Sequence, residues 1–202
     1  MRLIVLSPPD FLPNEATAVN QLFENGLTTF HVRKKTENPE KVAEYLAAID
    51  SRYLKNIVLH SPHHSLAERF AVKGLHFRGG EKTEKNTQTT LTYSQSVHSF
   101  AEINGVGEEL DYFLLSPIFE SISKKGYTSG FEEVALTVFL GEKAIKTKKI
   151  IALGGINSGT AKQALSMGFD GVAVLGYLWE DFRKTGDLAT LIMKFKAIKA
   201  IC

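Results

Sequence analysis

Residues 149–175 read Lys-Ile-Ile-Ala-Leu-Gly-Gly-Ile-Asn-Ser-Gly-Thr-Ala-Lys-Gln-Ala-Leu-Ser-Met-Gly-Phe-Asp-Gly-Val-Ala-Val-Leu, and their pattern decides the fold. Lys149–Leu153 and Gly171–Leu175 are short β-rich runs without the polar alternation of a half-exposed strand, as expected for strands covered on both faces. Between them Ser158–Met167 reads as a helix, with Gly168 behind it as a stop signal. Two buried strands joined through a helix pair in parallel, because a parallel connection must cross over the sheet.

Working outward, the same unit recurs along the chain. Toward the N-terminus, Leu3–Leu6, Thr28–Val32, Asn56–Leu59, Gly74–Phe77, Leu91–Ser96 and Asp111–Leu115 read as strands. Helical stretches follow at Asn14–Asn25, Pro39–Ile49, Ser65–Phe70, Phe100–Gly105 and Glu132–Leu140, and Leu188–Ala200 closes the chain. Eight strands with intervening helical material either close into a barrel or open into a doubly wound sheet. The units are short and even, and no Gly-x-Gly-x-x-Gly follows the first strand. The expectation is therefore a compact (β/α)8 TIM barrel occupying residues 1–202 as a single domain.

Bulk properties agree with a folded, self-sufficient protein. The 202 residues are 44% hydrophobic and 23% charged, which argues against disorder. Twenty-four basic residues against 22 acidic give a formal charge of +2, so no nucleic-acid surface is expected. The one cysteine, Cys202, cannot form an internal disulfide, which fits a reducing compartment. The apolar run at the N-terminus stops at Pro8 and Pro9, too early for a signal peptide, and no run reaches membrane-spanning length. The expectation is cytoplasmic, with no membrane partner and with self-association left open.

Chemistry concentrates at the strand ends. Alternate strand residues face the same way, so His31 and Arg33 project together, as do Ser94 and Ser96. In a barrel the C-terminal strand ends carry the active site. Arg33 offers a planar fork for phosphate oxygens and Lys35 a mobile charge. After the sixth strand, Ser121, Ser123 and Lys124 could wrap an anion or form an ordinary polar connection. After the seventh and eighth strands, Gly154, Gly155 and Gly176 stand where barrels hold phosphate. Among the six histidines, His60, His63 and His64 lack a cysteine partner or a zinc spacing, so no zinc site is expected. His76 reads as a hydrogen-bonded core residue, while His31 and His98 are the acid–base candidates.

Six stretches in order give the chain a family likeness: His-Val-Arg-Lys-Lys (31–35), Gly-Leu-His-Phe (74–77), Ser-Val-His-Ser (96–99), Ser-Pro-Ile-Phe-Glu-Ser-Ile-Ser-Lys-Lys (116–125), Leu-Gly-Gly-Ile (153–156) and Gly-Phe-Asp-Gly-Val-Ala-Val (168–174). Together they resemble the thiamin phosphate synthase/TenI family over nearly the whole chain. The synthases of that family join hydroxymethylpyrimidine diphosphate to thiazole phosphate, releasing diphosphate with Mg2+. The resemblance implies a diphosphate shell of Arg33, Lys35, Ser96, Ser121, Ser123 and Lys124. It also implies a thiazole-phosphate seat on the loops of Gly154, Gly155 and Gly176. The pyrimidine side would be formed by His31 and His60, with catalytic candidates His31, His98 and Lys124.

The departures fall on the metal. Where the synthases carry Asn-Asp after the third strand this chain has His60-Ser61, and the remaining acidic candidate is Glu81. His31 replaces a glutamine that touches the pyrimidine. Any Mg2+ would then arrive mainly as the diphosphate's own partner. The related thiazole tautomerase uses a histidine where this chain has Pro117. Three readings stay open: a synthase-type transferase, a tautomerase with a different base, and a non-catalytic thiamin-phosphate-binding protein.

Overall fold

The structure, a computed structural model, describes residues 2–83, 88–105, 110–120, 131–141 and 149–202. Eight parallel strands close on themselves in sequence order. They are β1 (Arg2–Leu6), β2 (Phe30–Val32), β3 (Ile57–His60), β4 (Gly74–Phe77), β5 (Thr92–Val97), β6 (Tyr112–Leu115), β7 (Lys149–Leu153) and β8 (Gly171–Val174). The ring is completed where β1 lies against β8, from Arg2 opposite Gly171 to Val5 opposite Val174. The TIM barrel expected from the alternating pattern is what the chain forms.

The helices are α1 (Glu15–Glu24), α2 (Pro39–Ala47), α3 (Ala67–Phe70), α4 (Phe100–Gly105), α5 (Glu133–Gly141), α6 (Thr160–Ser166), α7 (Gly176–Thr185) and α8 (Leu188–Lys199). Local chemistry sets their ends. Asn38 caps α2 by accepting from the Glu40 N–H at 2.9 Å, with Pro39 in the first turn, where a missing donor does no harm. Asp187 caps α8 by accepting from Ala189 and Thr190. Each amphipathic helix lays its apolar stripe on the barrel, as α8 does with Leu191, Phe195 and Ile198.

Three sequence expectations need correction. Gly176–Thr185 is a helix that the sequence reading passed over, because a glycine at its first position reads as a breaker. Tertiary packing overrides that propensity: the Trp179 indole N–H donates to the Leu6 carbonyl at 2.8 Å, pinning α7 under the end of β1. Ser51–Asn56 is a 3₁₀ helix between α2 and β3, also unforeseen. The helix expected at Ser65–Phe70 is a 3₁₀ turn, His63–Leu66, continued by one turn of α3.

Packing divides into two layers. Outward-facing strand residues, among them Val5, Phe30, Val32, Leu59 and Phe113, meet the helices in one large apolar layer. Inside the ring sits a smaller apolar cluster of Ile4, Leu6, Tyr112, Leu114, Ile151 and Ala173. That cluster comes from β1, β6, β7 and β8. On β2 to β5 the buried positions of the same parity hold, apart from Val58, the polar His31, His60, His76 and Ser94.

Candidate active site at the barrel mouth

A cleft of about 340 Å3 opens at the C-terminal ends of β2, β3, β4 and β5. Arg33, Lys35, Arg78, Ser96 and His98 stand around it, with His60 and His76 below. The cleft lies on the polar half of the barrel, where the inward parity places the imidazoles.

The β2 end is shaped by an alternation within Arg33-Lys34-Lys35. Lys34 turns away from the barrel axis into the helix layer and is buried, its ammonium bridging both Glu15 oxygens at 2.6 and 2.8 Å and donating to the carbonyls of Pro8 and Asp10. Tyr45 donates to the same carboxylate at 2.7 Å. Burial lowers the Lys34 pKa while Glu15 opposes the shift. Breaking a buried pair of this kind costs about 3–5 kcal/mol, since one charge is left without its partner. With the Lys34 ammonium held in the helix layer, the exposed Arg33 and Lys35 stand at the cleft. Ser7 of the β1 loop holds the Arg33 backbone, accepting from its N–H at 2.8 Å and donating to its carbonyl at 3.2 Å.

Arg78, which sequence reading missed, brings a third cation. Its signal was visible in retrospect: a basic residue at the C-terminal end of β4, followed by Gly79-Gly80. The loop it stands on is clamped. Glu81 accepts from Ser61 Oγ at 2.8 Å and from the Arg78 N–H at 2.7 Å, and Gln95 donates to the carbonyls of Arg78 and Glu81. A side chain on Gly79 would sit 3.2 Å from the Ser96 carbonyl, so the loop lies close against β5. His98 is set by a capping box at α4, in which Ser99 Oγ accepts from the Glu102 N–H while Glu102 accepts from the His98 N–H. Its ring lies 3.7 Å from that carboxylate.

Beneath the cleft the imidazoles form a network. His31 Nδ1 and His60 Nε2 are hydrogen-bonded at 2.9 Å, and His31 Nε2 reaches Tyr112 Oη at 2.7 Å. His76 is held by Ser94 Oγ through Nδ1 and by Ser96 Oγ through Nε2, both at 2.8 Å. His76 is thus the hydrogen-bonded core residue expected, and the Ser94/Ser96 parity holds. Burial pushes the His31 pKa down to about 3, helped by the charge of Lys73. Burial also drives His60 and His76 well below the ordinary range, with the neighbouring imidazoles and Arg33 acting the same way. All three rings are neutral near pH 7.

The candidate residues fall into four groups. Arg33, Lys35, His60, Ser96 and His98 meet at the cleft, whereas His31 lies one layer below and does not line it. Gly154, Gly155 and Gly176 stand at the ends of β7 and β8, on the other half of the mouth. Ser121, Ser123 and Lys124 lie outside the described residues.

The paired glycines also have a packing reason. Both have left-handed φ, +96° and +65°, and a Cβ on Gly155 would come within 2.5 Å of the Glu120 carbonyl. The loop after β6 is laced to them by N–H donors of Ile118 and Phe119 to the carbonyls of Leu153 and Gly154.

A protein-held Mg2+ fits poorly here. The ion wants six oxygen donors in a tight octahedron. Among the described residues, Glu81 has both oxygens engaged and does not line the cleft, and the nearest clustered donors are imidazole nitrogens.

Comparison with known proteins places this geometry. The chain is 24% identical to a thiamine-phosphate synthase of Leuconostoc citreum over 184 residues, covering 83% of each. It is 23% identical to a thiamine-phosphate synthase of Anoxybacillus flavithermus, covering 95% of this chain and 93% of that one. Among solved structures it superposes on a thiamine phosphate pyrophosphorylase of Bacteroides thetaiotaomicron with TM-score 0.82 and 29% identity, covering 100% of this chain and 97% of that one. The family model described as thiamine monophosphate synthase matches residues 3–178, which takes in all eight strands, the cleft and both glycine loops. With that match spanning the barrel and its mouth, the chain belongs to the thiamine monophosphate synthase family.

Proposed function

We propose that this chain is a transferase of the thiamine-phosphate synthase type, acting as one (β/α)8 domain over residues 1–202. It would join hydroxymethylpyrimidine diphosphate to thiazole phosphate and release diphosphate. One observation carries the reading: Arg33, Lys35, Arg78, Ser96 and His98 converge on a single cleft at the catalytic end of the barrel. As the bond to the pyrimidine carbon breaks, negative charge grows on the departing diphosphate. Fixed cations and hydrogen-bond donors stabilise that charge where it develops. His98 has the position to give a proton or a hydrogen bond to the leaving group.

In this reading Ser121, Ser123 and Lys124 close the diphosphate shell from the loop after β6. The thiazole phosphate rests on the loops of Gly154, Gly155 and Gly176, where α7 begins. His60 meets the pyrimidine from below, and His31 acts through His60 as a positioning residue. Mg2+, where it takes part, comes with the diphosphate.

A tautomerase is the second reading, favoured by the lack of an oxygen cage for Mg2+ among the described residues. It needs a base in contact with substrate. His31, the earlier candidate, lies beneath the floor with a pKa of about 3, which weakens it as a base. Turnover with both substrate sets separates the readings. Formation of thiamin phosphate from the two halves is the result expected. Tautomerisation without coupling would replace the transferase reading, and neither activity would leave a binding role.

A further inference from the structure

The polar half of the barrel holds a cluster that the transferase reading uses only in part, with roles for His60 and His31 at the pyrimidine and none for His76. His31, His60 and His76 come from three neighbouring strands, and one nitrogen from each lies within 4.8 Å of the others. We infer that these three imidazoles form a binding site for a zinc-class divalent cation, open on one side to the cleft.

Ligand type is the first argument. Neutral imidazole suits Zn2+ and its late first-row neighbours, and three protein ligands with one open position is the arrangement of catalytic zinc. The site is compact enough. Tetrahedral Zn2+ with Zn–N bonds of about 2.0–2.1 Å places its nitrogens somewhat more than 3 Å apart. His31 Nδ1 and His60 Nε2 stand 2.9 Å apart and the ligand atoms all lie within 4.8 Å of one another, so seating the ion takes a small spreading of that pair and an approach of the wider-spaced ring.

The surroundings of the rings are the second argument. A metal-bound histidine almost always has its other nitrogen held by a second partner, which fixes ring and tautomer. Here His31 Nε2 is held by Tyr112 Oη, and His76 Nδ1 by the buried Ser94 Oγ. His76 Nε2, now bonded to Ser96 at the cleft, is free to exchange that contact for the ion. Burial keeps the rings neutral, so their lone pairs are available without displacing protons.

Access is the third. His60 and His76 both line the cleft, so the fourth coordination position faces Arg33 and Ser96. Water or a phosphate oxygen would fill it. The inference stands apart from the transferase reading, because metal content is measured without turnover.

The test uses chelator-stripped full-length chain, titrated with Zn2+ and, as a spectroscopic probe, Co2+. Expected are one ion per chain, a Kd below the micromolar range, and the intense visible absorption of four-coordinate Co2+. His60→Gln and His76→Gln should each weaken binding at least ~100-fold, and Ser94→Ala about 10–100-fold as an outer partner. His98→Gln should leave the spectrum unchanged. Should the histidine variants not fold, X-ray absorption on zinc-loaded wild type reads the ligands directly, and three imidazoles are expected. Sub-stoichiometric or millimolar binding overturns the site, as does a spectrum lost in His98→Gln. A first shell with fewer than two imidazoles does the same.

Discussion

The two halves of this barrel interior are built from the same strand parity and end in opposite chemistry. On β1, β6, β7 and β8 the inward positions hold Ile4, Leu6, Leu114, Ile151 and Ala173, a dry plug that makes no hydrogen bonds through its side chains. On β2 to β5 they hold, besides Val58, His31, His60, His76, Ser94 and Ser96, in two sets with hydrogen bonds of 2.7–2.9 Å, His31 with His60 and Tyr112, and His76 with the two serines. Tyr112 belongs to both, its ring packed in the apolar cluster and its hydroxyl on His31. One half supplies stability by burial. The other gives up part of that stability to place polar groups under a cleft, since buried polar groups contribute only when satisfied. The cleft opens above the polar half, and the glycine loops crown the apolar one.

The division predicts where substitutions are felt, and the largest effect belongs to the apolar half. Leu114→Ala removes a fully buried side chain from the plug and should destabilise the chain by about 2–5 kcal/mol. Denaturant unfolding measures it, and a loss under about 1 kcal/mol would mean the plug is not close-packed.

On the polar half the large effect should be on binding. Arg33 is exposed at the mouth, so Arg33→Ala should leave stability within about 0.5 kcal/mol. Loss of a charge-assisted contact of about 1.5–3 kcal/mol should weaken diphosphate roughly ten- to a hundredfold. Lys124→Ala should act in the same direction. Calorimetric titration of both variants is the check, and unchanged affinity in both would move the anion site elsewhere.

Acid should also distinguish the halves. His31 titrates near 6.5 when unfolded and about 3 when folded. Between those values the unfolded chain binds more protons, so this stability is present above about pH 6.5 and is lost as pH falls toward 3. From pH 7 to pH 5 the loss from His31 alone is about 2 kcal/mol, and His60 and His76 act in the same sense. Urea midpoints in the presence of chelator should fall accordingly, and His31→Gln should flatten the dependence. An equal slope in wild type and variant would show that the imidazole half is not what acid attacks.

A further effect is expected where the β6 loop meets the glycine pair. Gly155→Ala forces a side chain into left-handed φ and against the Glu120 carbonyl. The conformational part alone is about 1–2 kcal/mol, and the shift of the β6 loop adds to it. A neutral substitution would show that the glycine serves the ligand alone.

Much of this was legible before any coordinates. The alternation of buried strand and helix, the bounds of β4 and β7, the shared face of His31 and Arg33 and that of Ser94 and Ser96 all depend on neighbours within a few residues, and local chemistry is what a sequence displays. The gathering of Arg33, Lys35, Ser96 and His98 at the mouth followed from residue type at strand ends. Tertiary structure alone decided the rest. It joined His31, His60 and His76, which share no sequence spacing that would reveal a metal site, because closing the barrel turns three adjacent strands' inward faces onto one axis. It buried Lys34 on Glu15, 19 residues away, and so set which two of three consecutive basic residues serve the cleft. It pressed Gly155 against a loop from another strand and made a helix start at Gly176. Each of these is a contact between segments distant along the chain, which no local periodicity encodes and which only the closed ring of strands brings within reach.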